Sequence, residues 1–255
     1  MRLRHFAAAD QRNFAHSAHD PWPARLDVLQ GISGAVLVLF MWVHMFLVSS
    51  ILLGKDAMFV VTRMLEGEYL FGRPYPALVS AVAVMVLGLF LIHALIAVWK
   101  MPASYREYRA FWIHTRRFRH ADSSLWLLQV VTGLVLMFTA TIHLYEMIMH
   151  PADIGHYASA DRVVSGGMWL LDLIMIFAVE VHAGIGVYRL IMKWDIFGAT
   201  RTPARRKLTR RIVTAIVAFY LLLGTLTFAA YVKIGLEHRD AVGERYVPTW
   251  QQDAG

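Results

Sequence analysis

Residues 39–54 read LFMWVHMFLVSSILLG. One imidazole, His44, stands inside a run otherwise built from large apolar side chains and two serines. The apolar character extends back to about residue 26, so the run covers roughly 26–53. A bilayer's hydrocarbon core, about 30 Å thick, takes about 20 helical residues. The run is therefore long enough to cross. Lipid offers no partner to an unpaired backbone N–H or C=O, so a crossing segment is a helix or part of a closed barrel. The short alternating strands of a barrel are absent from the pattern.

Four further stretches have the same length and character, at about 76–99, 123–149, 168–192 and 212–233. The expected fold class is all-α, an integral membrane bundle of five transmembrane helices, in one membrane-anchor domain over 1–255. The N-terminal tail is 1–25 and the C-terminal tail 234–255. Local signals mark the ends. Pro21 and Pro23 precede the first span, Pro74 and Pro76 open the second and Pro102 closes it. Asp122, Ser123 and Ser124 offer a cap for the third. No internal repeat stands out, and the first 25 residues lack the apolar core of a secretory signal.

Of the 255 residues, 58% are apolar, which suits a membrane protein better than a soluble domain. The absence of cysteine excludes disulfides, thiolate-held iron–sulfur clusters and haem attached through C-x-x-C-H. The formal charge of +7 reads as topology rather than nucleic-acid binding, because the cations sit between apolar runs. Residues 1–26 carry four of the 25 Lys and Arg, 100–122 carry six and 189–211 carry eight. The remaining connections and the tail carry three, one and three. This bias places the N-terminus in the cytoplasm and the C-terminus outside.

Eight of the twelve histidines lie in tails or connections, where solvated or interfacial imidazoles are ordinary. The other four, His44, His93, His143 and His182, lie one in each of the first four spans. An ionisable side chain at membrane depth is costly and marks function by default. Each sits past the middle of its span, and the spans alternate in direction. His44 and His143 therefore share the outer level, and His93 and His182 the inner. A b-type haem needs two neutral imidazoles on opposite faces of a flat ring, supplied by facing helices. Two pairs at two levels make two stacked b haems enclosed by four of the five helices.

Anionic haem propionates need donors, and Gln30, Trp126, Arg162 and Lys193 lie near span ends. Snorkelling or interfacial anchoring is an equal reading of Lys193 and Trp126. Glu180 precedes His182 by two residues, a turn of about 200°, so it points away from whatever His182 binds. A proton relay and a structural hydrogen bond both suit it, and Asp172 is a shallower case. Glu66, in the outer connection, reads as a solvated loop residue or as a base for quinol protons.

At this point the chain resembles a known family. It is similar to the dihaem cytochrome b membrane anchors of succinate:menaquinone and menaquinol:fumarate oxidoreductases over about residues 22–237. The resemblance rests on LFMWVHMFLVSSILLG (39–54), LFLIHALIA (89–97), DSSLWLLQVVTG (122–133) with IHLY (142–145), FAVEVHAGIGVYRL (177–190) and LGTLTFAAYVKIGLE (223–237). It implies that His44 and His143 ligate the outer haem, and His93 and His182 the inner. It implies that Glu66 accepts protons at the menaquinol site, that Glu180 belongs to a transmembrane proton path, and that Gln30, Trp126, Lys193 and Arg162 surround propionates. It further implies flavoprotein and iron–sulfur partner subunits on the cytoplasmic side of a bacterial inner membrane, docking near 105–119 and 200–211. The alternatives are the dihaem cytochrome b of a hydrogenase or formate dehydrogenase, and, outside redox chemistry, a histidine-lined metal-ion transporter.

Overall fold

The computed structural model describes residues 21–101, 104–106, 109, 113 and 121–252, with the backbone alone for 121–123. Most of the N-terminal tail, most of the basic connection 105–119 and the side chain of the expected cap Asp122 lie outside the described residues. Every span is helical, and there is no strand among the described residues.

Helix α1 runs Trp22–Val48, with Pro23 in its first turn, where a missing N–H costs nothing. It tightens into a 3-10 turn over Ser49–Leu53, and Gly54, at φ 120°, reverses the chain. Then come α2 (Lys55–Leu65), α3 (Ala77–Trp99), α4 (Ala121–Met149), α5 (His156–Val164), α6 (Trp169–Lys193) and α7 (Pro203–Glu237). Helices α1, α3, α4, α6 and α7 are long and apolar enough to cross a membrane. Helix α7 begins at Pro203 rather than at 212. Thr202 Oγ1 accepts the Arg205 N–H (3.2 Å) and Pro203 fills the first turn, so the basic stretch continues the helix past its apolar part.

The four histidine-bearing helices close into a ring. Helix α1 packs on α3, α3 on α4, α4 on α6, and α6 back on α1. Helix α7 lies outside the ring against α6 and α1, with α5 behind it. Without a hydrophobic drive between helices in lipid, small residues set how near they approach. Gly184 on α6 meets Val217 of α7 with no room for a Cβ. Gly235 on α7 lies so close to α5 that a Cβ would stand 2.6 Å from the Ala160 carbonyl oxygen. Leu39, Phe46, Leu95 and Phe138 are exposed on the outer surface, as lipid-facing side chains must be.

A ring of four leaves two diagonals, α1 to α4 and α3 to α6. A cavity of about 1100 Å³ occupies the space between them. It reaches from Asp27, Gln30 and Lys100 at the basic end to Arg162 and Asp172 at the other. Residues of α2 and α5 line that far end.

Candidate functional site

Each diagonal carries one histidine pair. The His44 and His143 rings have centroids 6.3 Å apart with planes at 64°. The His93 and His182 rings are 6.4 Å apart with planes at 84°. A metal–imidazole bond is about 2.0 Å, and a ring centre lies about 1.1 Å behind its nitrogen, so two imidazoles trans on one metal have centroids about 6.2 Å apart. Both pairs have that separation, and all four rings line the cavity. Among the described residues no third His, Asp or Glu converges on either pair to make a conventional ion site.

The orientation of the His93 and His182 rings follows from their edges. His93 Nδ1 lies 3.2 Å from the Gln30 carbonyl oxygen and 3.1 Å from Ser33 Oγ. His182 Nδ1 lies 2.9 Å from the Gln129 carbonyl oxygen and 3.3 Å from Thr132 Oγ1. A carbonyl only accepts, so Nδ1 carries the proton on both rings and Nε2 keeps its lone pair. A Cβ on Gly34 would stand 2.9 Å from His93 Cε1, and one on Gly133 would stand 3.0 Å from His182 Cε1. Each ring thus lies against the bare backbone of its neighbour helix, with Cε1 its nearest atom.

The basic end of the cavity is charged. Lys100 donates to Asp27 (2.7 Å) and to Gln30 Oε1 (2.6 Å), and Lys193 pairs with Asp27. Arg189 donates to Gln129 Oε1 (2.6 Å). Trp126 lines the same end. Gly31 faces Trp194 so closely that a Cβ would stand 2.9 Å from that ring, which brings the end of α6 against α1.

At the far end, Glu66 caps α2 and is buried, 5% exposed, with Arg63 Nη1 at 3.3 Å. Burial pushes its carboxyl above the usual carboxylate range, and the Arg63 guanidinium pulls against that shift. Glu66 lines a polar pocket of about 350 Å³ with Arg63, Glu146, His150, Asp153 and Arg245. Thr62 and Arg162 line both this pocket and the cavity, so the two adjoin. Arg162 donates to the Asp153 carbonyl (3.2 Å), and burial lowers its guanidinium from the ordinary value.

Glu180 is fully buried and is not among the residues lining the cavity. It turns toward Trp42, whose Nε1–H donates to Oε2 (3.3 Å), and Trp42 in turn stacks on Tyr220 of α7. Its Oε1 has no partner among the described residues.

The succinate dehydrogenase/fumarate reductase transmembrane subunit family matches residues 105–223. A fumarate reductase cytochrome b subunit of Helicobacter pylori is 42% identical over 217 residues, covering 85% of this chain and 84% of its own length. The chain belongs to the fumarate reductase cytochrome b family. The Wolinella succinogenes subunit of the same description is 43% identical over 218 residues, covering 86% of this chain and 85% of its own.

Membership makes the chain a multi-pass membrane subunit of an oxidoreductase complex, and a cytochrome b implies haem. The residues fit that group. Two histidine pairs line one cavity, Gly34 and Gly133 leave no side chain beside His93 and His182, and Lys100, Lys193 and Arg189 line its basic end, where an anionic group would find donors.

Lys100, Gln129 and Arg189, hydrogen-bonded at the basic end of the cavity, do not stand out in the sequence. A signal was present: Lys100 follows His93, and Arg189 follows His182, by the same seven residues.

Proposed function

We propose that the chain is the dihaem cytochrome b subunit of a quinol:fumarate reductase or succinate:quinone reductase. It exchanges electrons between menaquinol and an iron–sulfur subunit and anchors the complex, with its flavoprotein, in the bacterial inner membrane. The observation that carries this reading is the placement of His44–His143 and His93–His182 on crossed diagonals, at two levels, each at the separation of a bridged metal. Two bound haems supply one-electron carriers from one face of the bilayer to the other.

The chain's own residues do the rest. His44 and His143 would hold the outer haem, with Arg162 to meet its anionic groups; His93 and His182 would hold the inner, with Gln30, Trp126 and Lys193 to meet its own, and all of these line the cavity. Glu66 accepts a menaquinol proton at the outer end and passes it to the polar pocket beside Glu146, His150 and Asp153. Arg63 orients the carboxylate. Glu180, off the cavity and bonded to Trp42, serves proton transfer along the α1–α6–α7 seam. The cationic start of α7, with Arg205, Arg206, Lys207, Arg210 and Arg211, faces the cytoplasm and receives the iron–sulfur subunit.

The test is a reduced-minus-oxidised spectrum and a haem count on the purified complex, with its subunits identified. Two b haems per chain and a co-purifying flavoprotein are expected. A colourless chain, or a nickel or molybdenum partner, would overturn the reading. Replacing His182 with alanine should remove one haem and stop quinone-linked turnover.

A further inference from the structure

The sequence does contain a repeat, which becomes visible once the contacts are known. Helix α1 carries Gln30-x-x-Ser33-Gly34 and then His44. Helix α4 carries Gln129-x-x-Thr132-Gly133 and then His143 at the same spacing. Helix α3 carries His93-x6-Lys100 and α6 carries His182-x6-Arg189. The contacts repeat as well. Lys100 donates to Gln30 and Arg189 to Gln129; Gly34 lies under His93 and Gly133 under His182. In the ring α1–α3–α4–α6, a two-fold axis along the bundle exchanges α1 with α4 and α3 with α6. It maps each histidine onto its own partner across a diagonal. The first and second helical hairpins are thus two copies of one unit, and α7 breaks the symmetry by packing at Gly184, whose counterpart Leu95 is exposed.

The repeat makes the two levels unlike. Both inner rings have two acceptors at Nδ1, a carbonyl and a hydroxyl. His44 and His143 have no hydrogen bond to either ring nitrogen among the described residues; Phe40 stacks on His44 instead. The hydroxyl protons are already committed. Ser33 Oγ donates to the Gln30 carbonyl (3.1 Å), and Thr132 Oγ1 lies 2.8 Å from the Leu128 carbonyl oxygen and 3.1 Å from that of Gln129. Each hydroxyl oxygen therefore presents lone pairs to Nδ1–H.

We propose that Ser33 and Thr132 are positioning residues that polarise the Nδ1–H bonds of His93 and His182 and so lower the reduction potential of the inner haem alone. A second acceptor on Nδ1–H gives the imidazole more anionic character, makes Nε2 a stronger donor and favours ferric over ferrous iron. A purely structural role, the common one for Ser and Thr bonded back to their own helix, would leave both potentials unmoved.

The inference rests on His93 and His182 holding a haem. The experiment is a redox titration of both haems in the purified complex, for Ser33→Ala, Thr132→Ala and the double variant, with Ser33→Thr and Thr132→Ser as conservative rescues. His182→Ala identifies the inner haem's spectrum. The expected result is a rise in the inner midpoint in each alanine variant, larger in the double, with the outer midpoint unmoved and the rescues near the parent value. Loss of the inner haem alone, restored by the conservative variants, would show a structural role instead and overturn it. Unmoved potentials in the double variant, an equal shift of both haems, or loss of both would overturn it. If His182→Ala keeps both haems, the ligand reading itself fails; if His182→Ala loses one and the double alanine variant shows no shift, only this inference fails.

Discussion

Gly34 lies against the His93 ring with no space for a side chain between them: a Cβ there would stand 2.9 Å from Cε1. The ring cannot retreat without giving up the Nδ1 contacts to the Gln30 carbonyl and Ser33. Gly34→Val is therefore expected to displace the imidazole and empty the inner site. The haem-to-protein ratio should fall from about two to about one, following the 10–100-fold affinity loss common when a metal ligand's supports are disturbed. A ratio still at two would show that the close approach is incidental. Gly88, beside which nothing lies within 4 Å of a built Cβ, provides the control, and Gly88→Ala should keep both haems.

Glu66 gives a pH signature. A carboxylate base works only when ionised, and burial raises its pKa above the ordinary value while Arg63 opposes the rise. The acid limb of menaquinol oxidation is expected at higher pH than a solvated glutamate would give. Removing the cation with Arg63→Gln leaves burial less opposed, so the limb should move further up in pH. Glu66→Gln should leave both haem spectra intact while turnover collapses by the 10²–10⁴-fold typical of a lost general base. Steady-state turnover against pH with a menaquinol analogue measures all three.

Glu180 should separate proton traffic from haem binding. Its side chain is off the cavity and bonded to Trp42. Glu180→Gln keeps a group able to meet Trp42 Nε1–H yet cannot carry a proton. Both haems should remain with unchanged spectra, while proton movement coupled to turnover in proteoliposomes is lost. Loss of a haem in this variant would contradict the placement.

The C-terminal residues are strapped across the far end by Asp161, which accepts from His238 Nδ1 (2.9 Å) and from the Gly243 N–H (3.0 Å). Tyr157 stacks on His238 and packs at a tilt against His156, and Tyr246 meets His156 edge-on. Asp161→Asn should weaken the strap by about 1–3 kcal/mol, the cost of disrupting buried charge-assisted hydrogen bonds. Hydrogen exchange over 238–252 should quicken while exchange in α1 and α6 is unchanged.

The same strap responds to acid through His156. Burial, with Lys55 beside it, holds the folded-state pKa down at about 4, below the ordinary 6.5. A histidine whose folded pKa is depressed stabilises the neutral, folded form. That contribution is complete above about pH 6.5 and is lost as the pH falls toward about 4. Proteolysis in the strap should therefore accelerate between those values, and His156→Phe should flatten the dependence.

The sequence alone determined how many helices are long enough to cross and which histidines pair. Hydrocarbon thickness fixes how many apolar residues a span needs, and alternating direction then sets depth, which put His44 with His143 and His93 with His182. It also carried the matched spacings of Gln30 to His44 and Gln129 to His143, though nothing in composition marks them until their contacts are seen. Tertiary structure decided how each helix is turned about its axis and which helices stand diagonal to one another. It set the Nδ1 edges of His93 and His182 against Gly34 and Gly133, placed Glu180 toward Trp42, and folded residues 238–252 beside the pocket of Glu66. The physical reason is that lipid surrounds an apolar helix evenly and favours no face. Rotation and neighbour order are settled by close contacts between small residues and rings on different helices, far apart in the chain.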